Sequence, residues 1–189
     1  MPSLLHRIQF DHDETAFQEF YKENVFRLFQ FAFSFVQNKE VAEEIVNDVF
    51  LRLWQNRENL DRIDNMNVYL YVAIKNTAAN YHRKMASRNR VDLDNVMVSH
   101  FYLSPDPEQV LVTGELRKAI EESVNQLPPK CKLIFKLVKE DGLSCQEVAS
   151  ILGLHYKTIT TQLTIALKKL EQTLQPSLAG RRVRGVGSE

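Results

Sequence analysis

The chain is short of breakers. It has six glycines and six prolines in 189 residues, and no glycine- or proline-rich stretch falls between Leu4 and His100. Long segments there run without punctuation and can be read for their period. Cysteine is scarcer still: Cys131 and Cys145 have neither CxxC spacing nor a nearby ligand cluster. Reduced, buried thiols are expected, with no metal site. No apolar run approaches the roughly 18 residues that span a bilayer. The first ten residues hold a single arginine and no long apolar stretch. No secretory signal is expected, and the expected compartment is the cytoplasm. Catalytic parts are missing too. There is no Walker loop, GxGxxG or HExxH, and the five histidines, at 6, 12, 82, 100 and 155, are scattered. The expectation is therefore a protein with no catalytic residue, no cofactor and no metal.

Net charge is also lacking: 24 Lys and Arg balance 24 Asp and Glu. The balance is made of blocks. Residues 1–65 have seven basic and twelve acidic side chains, net −5, while 66–90 carry Lys75, Arg83, Lys84, Arg88 and Arg90 without an acid, net +5. Residues 91–126 return to −5, 127–175 stand at +3, and the tail 176–189 at +2. Basic blocks parted by acidic ones suit a protein that touches DNA with two separate surfaces.

What is present is helical period. Residues 13–36 place Phe17, Phe20, Tyr21, Leu28, Ala32 and Phe35 near helical spacing. Phe29, Phe31, Phe33 and Phe35 alternate as in a strand, but with no turn residue on either side the segment is read as helix. Asn38 is a good N-cap for a second helix, with Glu40, Glu43 and Glu44 where the dipole favours acids. Val41, Ile45, Val49 and Leu53 repeat along it. Residues 57–65 read as a loop. A third helix is expected over 67–88, with Leu70, Ala73, Ile74, Thr77 and Tyr81 on one side. Residues 91–109 read as a linker, and 110–175 as a second helical domain broken at Pro128-Pro129, Asp141-Gly142 and Gly153. The tail 176–189 is expected to be disordered. The fold class is thus all-α: two small helical domains, 10–90 and 110–175, on a flexible tether.

The strongest local pattern lies in 143–170. Ser144 followed by Glu147 is a capping box that starts a helix at Cys145. Ala149, Gly153 and Ile159 then stand at helix-turn-helix spacing. The small residue permits close approach, glycine accepts the left-handed turn, and the β-branched residue plugs the core. Val148, Leu152, Leu154, Leu163 and Leu167 complete the apolar side. A second helix from Tyr156 presents Lys157, Thr158, Thr160, Thr161 and Gln162, a polar face with no acid before Glu171. Such a face suits the major groove, where the Gln162 amide would pair with adenine. A plain helical hairpin with a solvated polar face is the blander reading. His155 is expected to be exposed.

Two segments, AEEIVNDVFLRLW at 42–54 and YLYVAIKNTAANYHRK at 69–84, together resemble sigma-70 family sigma factors of the extracytoplasmic-function (ECF) group. Residues 127–170 resemble the second DNA-binding domain of the same group, and the pattern is similar to its Bacteroidetes members. The resemblance covers roughly 10–90, as sigma region 2, and 110–174, as region 4. It implies core RNA polymerase as partner, through the β′ clamp helices and the β flap, together with promoter DNA and an anti-sigma factor. On the 42–55 helix it implies Glu44, Asn47, Asp48, Leu51, Arg52 and Gln55 as polymerase contacts. At the −10 element it implies Lys75, Asn76, Asn80, Tyr81, Arg83, Lys84 and Arg88, with 61–67 as a loop that pockets a flipped base. Tyr69 and Tyr71 join Tyr81 as candidate stacking faces, although tyrosines at helical spacing more often pack inward. His82 is either a phosphate contact or a surface histidine. Tyr156, Lys157, Thr158, Thr160, Thr161 and Gln162 would meet the −35 element. The acidic linker would thread the basic RNA exit path, or serve as a solvated tether.

Two rivals remain at this point. One is a regulator that binds operator DNA alone through the same helix-turn-helix. The other is a helical adaptor that binds only proteins.

Overall fold

The computed structural model describes residues 3–85 and 114–182, with side chains over 3–85 and 118–173. The described residues form eight α-helices and one 3-10 helix, without a strand. The all-α expectation holds. The chain divides into two compact units, Met1–Met97 and Val98–Glu189.

The first unit contains α1 (Leu4–Phe10), α2 (Glu14–Val36), α3 (Lys39–Gln55), a 3-10 helix (Arg57–Arg62) and α4 (Met66–Met85). The starts of α1, α2 and α3 each have a capping side chain. Ser3, Asp13 and Asn38 accept from the backbone N–H three residues on, at 3.3, 3.0 and 2.9 Å. The Ala16 amide and then the Arg7 guanidinium hold the Asp13 carboxyl below its usual range. Phe31 and Phe35 are buried in α2, while Phe29 and Phe33 stack on a half-buried flank with centroids 6.0 Å apart. The alternation is therefore two i, i+4 pairs on neighbouring strips of one helix. Phe17, Phe20 and Tyr21 surround Phe50 of α3, with ring centroids at 6.1, 6.1 and 4.8 Å. Ile45, Val46, Val49 and Leu53 complete the contact. Each such side chain contributes about 1.5–3 kcal/mol on burial.

Three expectations need correction here. The presumed loop at 57–65 holds the 3-10 helix, and α1 adds a seven-residue helix to the expected set. The inward side of α4 is Leu70, Tyr71, Ile74 and Ala78, rather than Ala73, Thr77 and Tyr81. The Tyr71 ring turns the helix inward by packing edge-on against Phe31 at 4.9 Å.

The second unit contains α5 (Gly114–Asn125), α6 (Pro129–Lys139), α7 (Cys145–Leu152) and α8 (Tyr156–Arg182). Pro129 sits at the start of α6, where its missing N–H is no loss. Val124, Leu127, Cys131, Ala166 and Leu170 form a core cluster joining α5, α6 and α8. The expected Leu163 and Leu167 stripe is corrected. Ile159, Ala166 and Leu170 are buried, Leu163 is half-buried and Leu167 is 43% exposed. Helix α8 also runs across Pro176 to Arg182, where a disordered tail was expected. Cys131 is buried, Cys145 is half-buried, and both are free thiols.

Candidate nucleic-acid interface

The helix-turn-helix follows from local chemistry. The Ser144 hydroxyl accepts from the Glu147 N–H at 3.2 Å, and the Glu147 carboxylate accepts from the Ser144 N–H at 2.7 Å. At the other end of α7, Gly153 takes φ 69 and ψ 34. Its N–H donates to the Ser150 carbonyl, and the Leu154 N–H donates to that of Ala149. This crossed pair is a Schellman stop, which a residue without Cβ accommodates. Ile159 is fully buried beyond the turn.

On α8, Lys157, Thr161, Thr164 and Lys168 are all exposed and share one face, opposite Ile159, Ala166 and Leu170. Thr158 and Thr160 flank that face half-buried, and Tyr156 is exposed at the helix start. The Thr161 and Thr164 hydroxyls donate to carbonyls of their own helix at 2.8 Å each, which occupies their protons while both residues stay exposed. Gln162 has a partner within the protein. Its amide oxygen accepts from the Cys131 thiol at 2.8 Å. Burial raises the Cys131 pKa, so the thiol keeps the proton it donates. His155 is exposed, as expected. Lys132 and Lys136 are buried, so the usable positive charge of this unit is narrower than its net charge suggests.

On α4, Asn76, Asn80, Arg83 and Lys84 are exposed along one face. The Arg83 guanidinium donates to the Asn80 amide oxygen, leaving the Asn80 NH2 to donate elsewhere. Tyr81 is half-buried; Lys75 is half-buried as well, and desolvation lowers its pKa. Arg88 and Arg90 lie outside the described residues. Of the other tyrosines, Tyr69 is 38% exposed and Tyr71 fully buried, which removes Tyr71 as a stacking face. His82 is bound internally: its Nε2 lies 3.0 Å from the Phe35 carbonyl. A carbonyl only accepts, so Nε2 carries the proton and ties α4 to the end of α2.

On α3, Glu44, Asn47, Leu51, Arg52 and Gln55 are exposed and Asp48 is half-buried. Leu51, at 55% exposure, is an apolar side chain in a polar surround. The Tyr21 hydroxyl donates to the Asn47 amide oxygen at 2.9 Å. Glu44, Asp48 and Arg52 face Asn80, Tyr81, Arg83 and Lys84 across a groove of about 690 Å³. One wall thus belongs to the candidate polymerase face and the other to the candidate −10 face.

Sequence reasoning missed what holds the loop before α4. Asn65 caps α4 by accepting from the Val68 N–H at 3.0 Å. Arg27 of α2 donates to the Asn67 amide oxygen at 2.7 Å and stands 5.9 Å over the Tyr71 ring. The cap was detectable as an asparagine just ahead of an apolar periodic run. The Arg27 tie spans 40 residues and leaves no local trace.

A protein whose described residues form helices without a strand, whose second unit carries a helix-turn-helix, and whose first exposes amides and cations at a helix end, has the parts of a DNA-binding transcription factor. The family model described as Sigma-70 region 2 matches residues 20–88, and that described as Sigma-70, region 4 matches 117–170. Together they span more than half of the chain, which belongs to the sigma-70 family and, within it, to the ECF group. It is 23% identical to the ECF RNA polymerase sigma factor SigK of Mycobacterium tuberculosis, covering 94% of this chain and 95% of that one. It is also 23% identical to SigW of Bacillus subtilis, over 86% of this chain and 91% of that one. Among solved structures it is similar to CnrH in complex with the cytosolic domain of CnrY. The TM-score there is 0.51 at 19% identity, covering 92% of this chain and 96% of that one. A second, RpoE with the anti-sigma factor NepR from Bartonella quintana, gives a TM-score of 0.51 at 22% identity, over 84% and 98% of the two chains. Sigma factors are transcription initiation factors rather than enzymes. Among the described residues no cluster of metal-ligating side chains occurs, and no helix is long and apolar enough to cross a membrane.

Proposed function

We propose that this ECF sigma factor binds core RNA polymerase through the outer face of α3, opens promoters at the −10 element with the exposed face of α4, and reads the −35 element with the first turns of α8. It acts in the cytoplasm, and an anti-sigma factor, of the kind bound to its structural neighbour from Bartonella quintana, restrains it. The observation that carries this reading is the serial order of the two family regions, each with its polar face outward. Family membership disfavours the operator-binding rival, because promoter recognition is then shared with polymerase.

The test is run-off transcription with core polymerase on genomic promoter fragments. Specific initiation is expected with the full chain and not with core alone. The isolated protein should bind duplex promoter DNA poorly, since Lys132 and Lys136 are buried and the remaining cations are split between two units. Tight, specific duplex binding by the protein alone at physiological salt would restore the operator reading.

The α3 face makes a second prediction. Asp48→Arg combined with Leu51→Ala removes an apolar anchor and reverses a charge outside the core stripe. Affinity for core polymerase should fall at least tenfold, on the order of 1.4 kcal/mol, with the first unit still folded by circular dichroism. Normal affinity in the double variant would mean that polymerase docks on another face.

A further inference from the structure

Residues 3–13 precede the stretch that the region 2 model matches, which begins at residue 20. None of them is a candidate contact to DNA or polymerase, yet they are built into the first unit. Ile8 is fully buried, and Gln9 beside it is only 9% exposed. A buried amide is unfavourable unless its polar atoms find partners. Gln9 Nε2 donates to the Glu58 carbonyl at 3.0 Å and to Asp61 Oδ1 at 2.9 Å. A second tie runs in parallel: Arg57 Nε donates to His12 Nδ1 at 3.0 Å, and Arg57 Nη1 donates to the Trp54 carbonyl at 2.9 Å. The arm therefore grips residues 57, 58 and 61, along most of the 3-10 helix Arg57–Arg62.

That helix needs outside support. Short 3-10 helices have poorer hydrogen-bond geometry than α-helices. Here Asn59 departs from helical backbone values, at φ −111 and ψ 18. The 3-10 helix leads straight into residues 63–65 and the start of α4. Asn65 and Asn67 fix the far end of this connection, and Gln9 fixes the near end. A recognition loop pinned at both ends is preorganised, so binding does not have to supply the ordering free energy.

We infer that Gln9 is a positioning residue for −10 recognition: its amide clamps Asp61 and the Glu58 carbonyl, so that the 61–67 segment, which joins the end of the 3-10 helix to the start of α4, is set to receive an unstacked base. The inference rests on the reading of 61–67 as the −10 loop, and the experiment separates the two. Full-length variants are assayed with core polymerase for run-off transcription, for selection from a randomised −10 library, for core affinity and for thermal midpoint. Gln9→Leu keeps the volume and removes the donor. It should lower transcription roughly three- to tenfold, relax one −10 position and leave core affinity unchanged. Gln9→Glu sets a carboxylate against the Asp61 carboxylate and should lose more. Adding Asp61→Asn supplies a donor from the other side and should recover a substantial part of that loss, which a general packing role would not. Asp64→Ala, an exposed loop change, serves as the reference. If Asp64→Ala alters the −10 preference while both Gln9 variants keep it, the clamp is wrong and the loop reading stands. If Asp64→Ala and the Gln9 variants all return the wild-type preference, the loop reading fails and the clamp falls with it. A lower thermal midpoint in Gln9→Leu with an unchanged −10 preference also overturns the proposal.

Discussion

Alanine at both Arg83 and Lys84 should lower open-complex formation about tenfold at every promoter, and by a similar factor whatever the −10 sequence. Both side chains are exposed at the end of α4, where cations meet phosphate rather than base edges. Each phosphate neutralised on a single strand contributes about −0.7 to the slope of log K against log salt. Losing two should flatten that slope by about 1.4, which between 1 M and 0.15 M salt amounts to roughly tenfold. The measurement is open-complex formation over a salt series with several promoters. Asn80→Ala is the internal contrast. The Asn80 amide oxygen is held by Arg83, so only its NH2 is left to donate to a base acceptor. Its loss should shift preference among −10 sequences and barely change the salt slope. A flat slope change in the double variant, or equal effects of both variants on all promoters, would remove the division between phosphate grip and base reading.

The sequence was legible wherever a structure is made by neighbours along the chain. Asp13, Asn38 and Ser144 announce helix starts because an N-cap bond spans three residues. Gly153 announces a stop because the left-handed turn favours a residue without Cβ. Helix rotation was harder. Tyr69, Tyr71 and Tyr81 could not be told apart as stacking faces or core residues, because the choice of Tyr71 for the interior depends on Phe31 and Arg27 of another helix. His82 reads as a phosphate contact or a surface histidine, but its partner is a carbonyl 47 residues away. Leu167 fitted an apolar period yet lies exposed, because Ala166 takes the close contact in the core cluster. Helix α1 is only seven residues long, below the window in which a 3.6-residue period stands out. The candidate side chains were therefore readable by type and by the helix that carries them. Which of them are already engaged by the protein itself depends on contacts from distant parts of the chain.

Gln162 is where that difference changes an expected result. A bidentate pair with adenine uses both ends of the amide, the oxygen accepting from N6 and the nitrogen donating to N7. The Gln162 oxygen accepts from Cys131, and the side chain is half-buried on the flank of α8 that meets α6. Lys157 and Thr161, by contrast, are fully on the outward face of the first turns, the part of a recognition helix that reaches the groove floor. Lys157→Ala should therefore weaken −35-dependent transcription roughly fivefold or more, the lower end of what a good base contact is worth. Thr161→Ala should relax one base position, since an exposed threonine carries a methyl suited to apolar contact with a thymine methyl. Gln162→Ala should return the wild-type −35 consensus with a small general loss, because a thiol is a weak donor and little is forfeited when its acceptor goes. Lys168 lies about 16 Å farther along the axis than Lys157, beyond reach of the same base pairs, so Lys168→Ala should lower affinity without altering preference. Selection of active promoters from a randomised −35 library, run in parallel on the four variants, compares these outcomes directly. If Gln162→Ala relaxes a single position while Lys157→Ala and Thr161→Ala return the wild-type consensus, the Cys131 contact is broken on DNA and α8 enters the groove rotated toward its α6 flank.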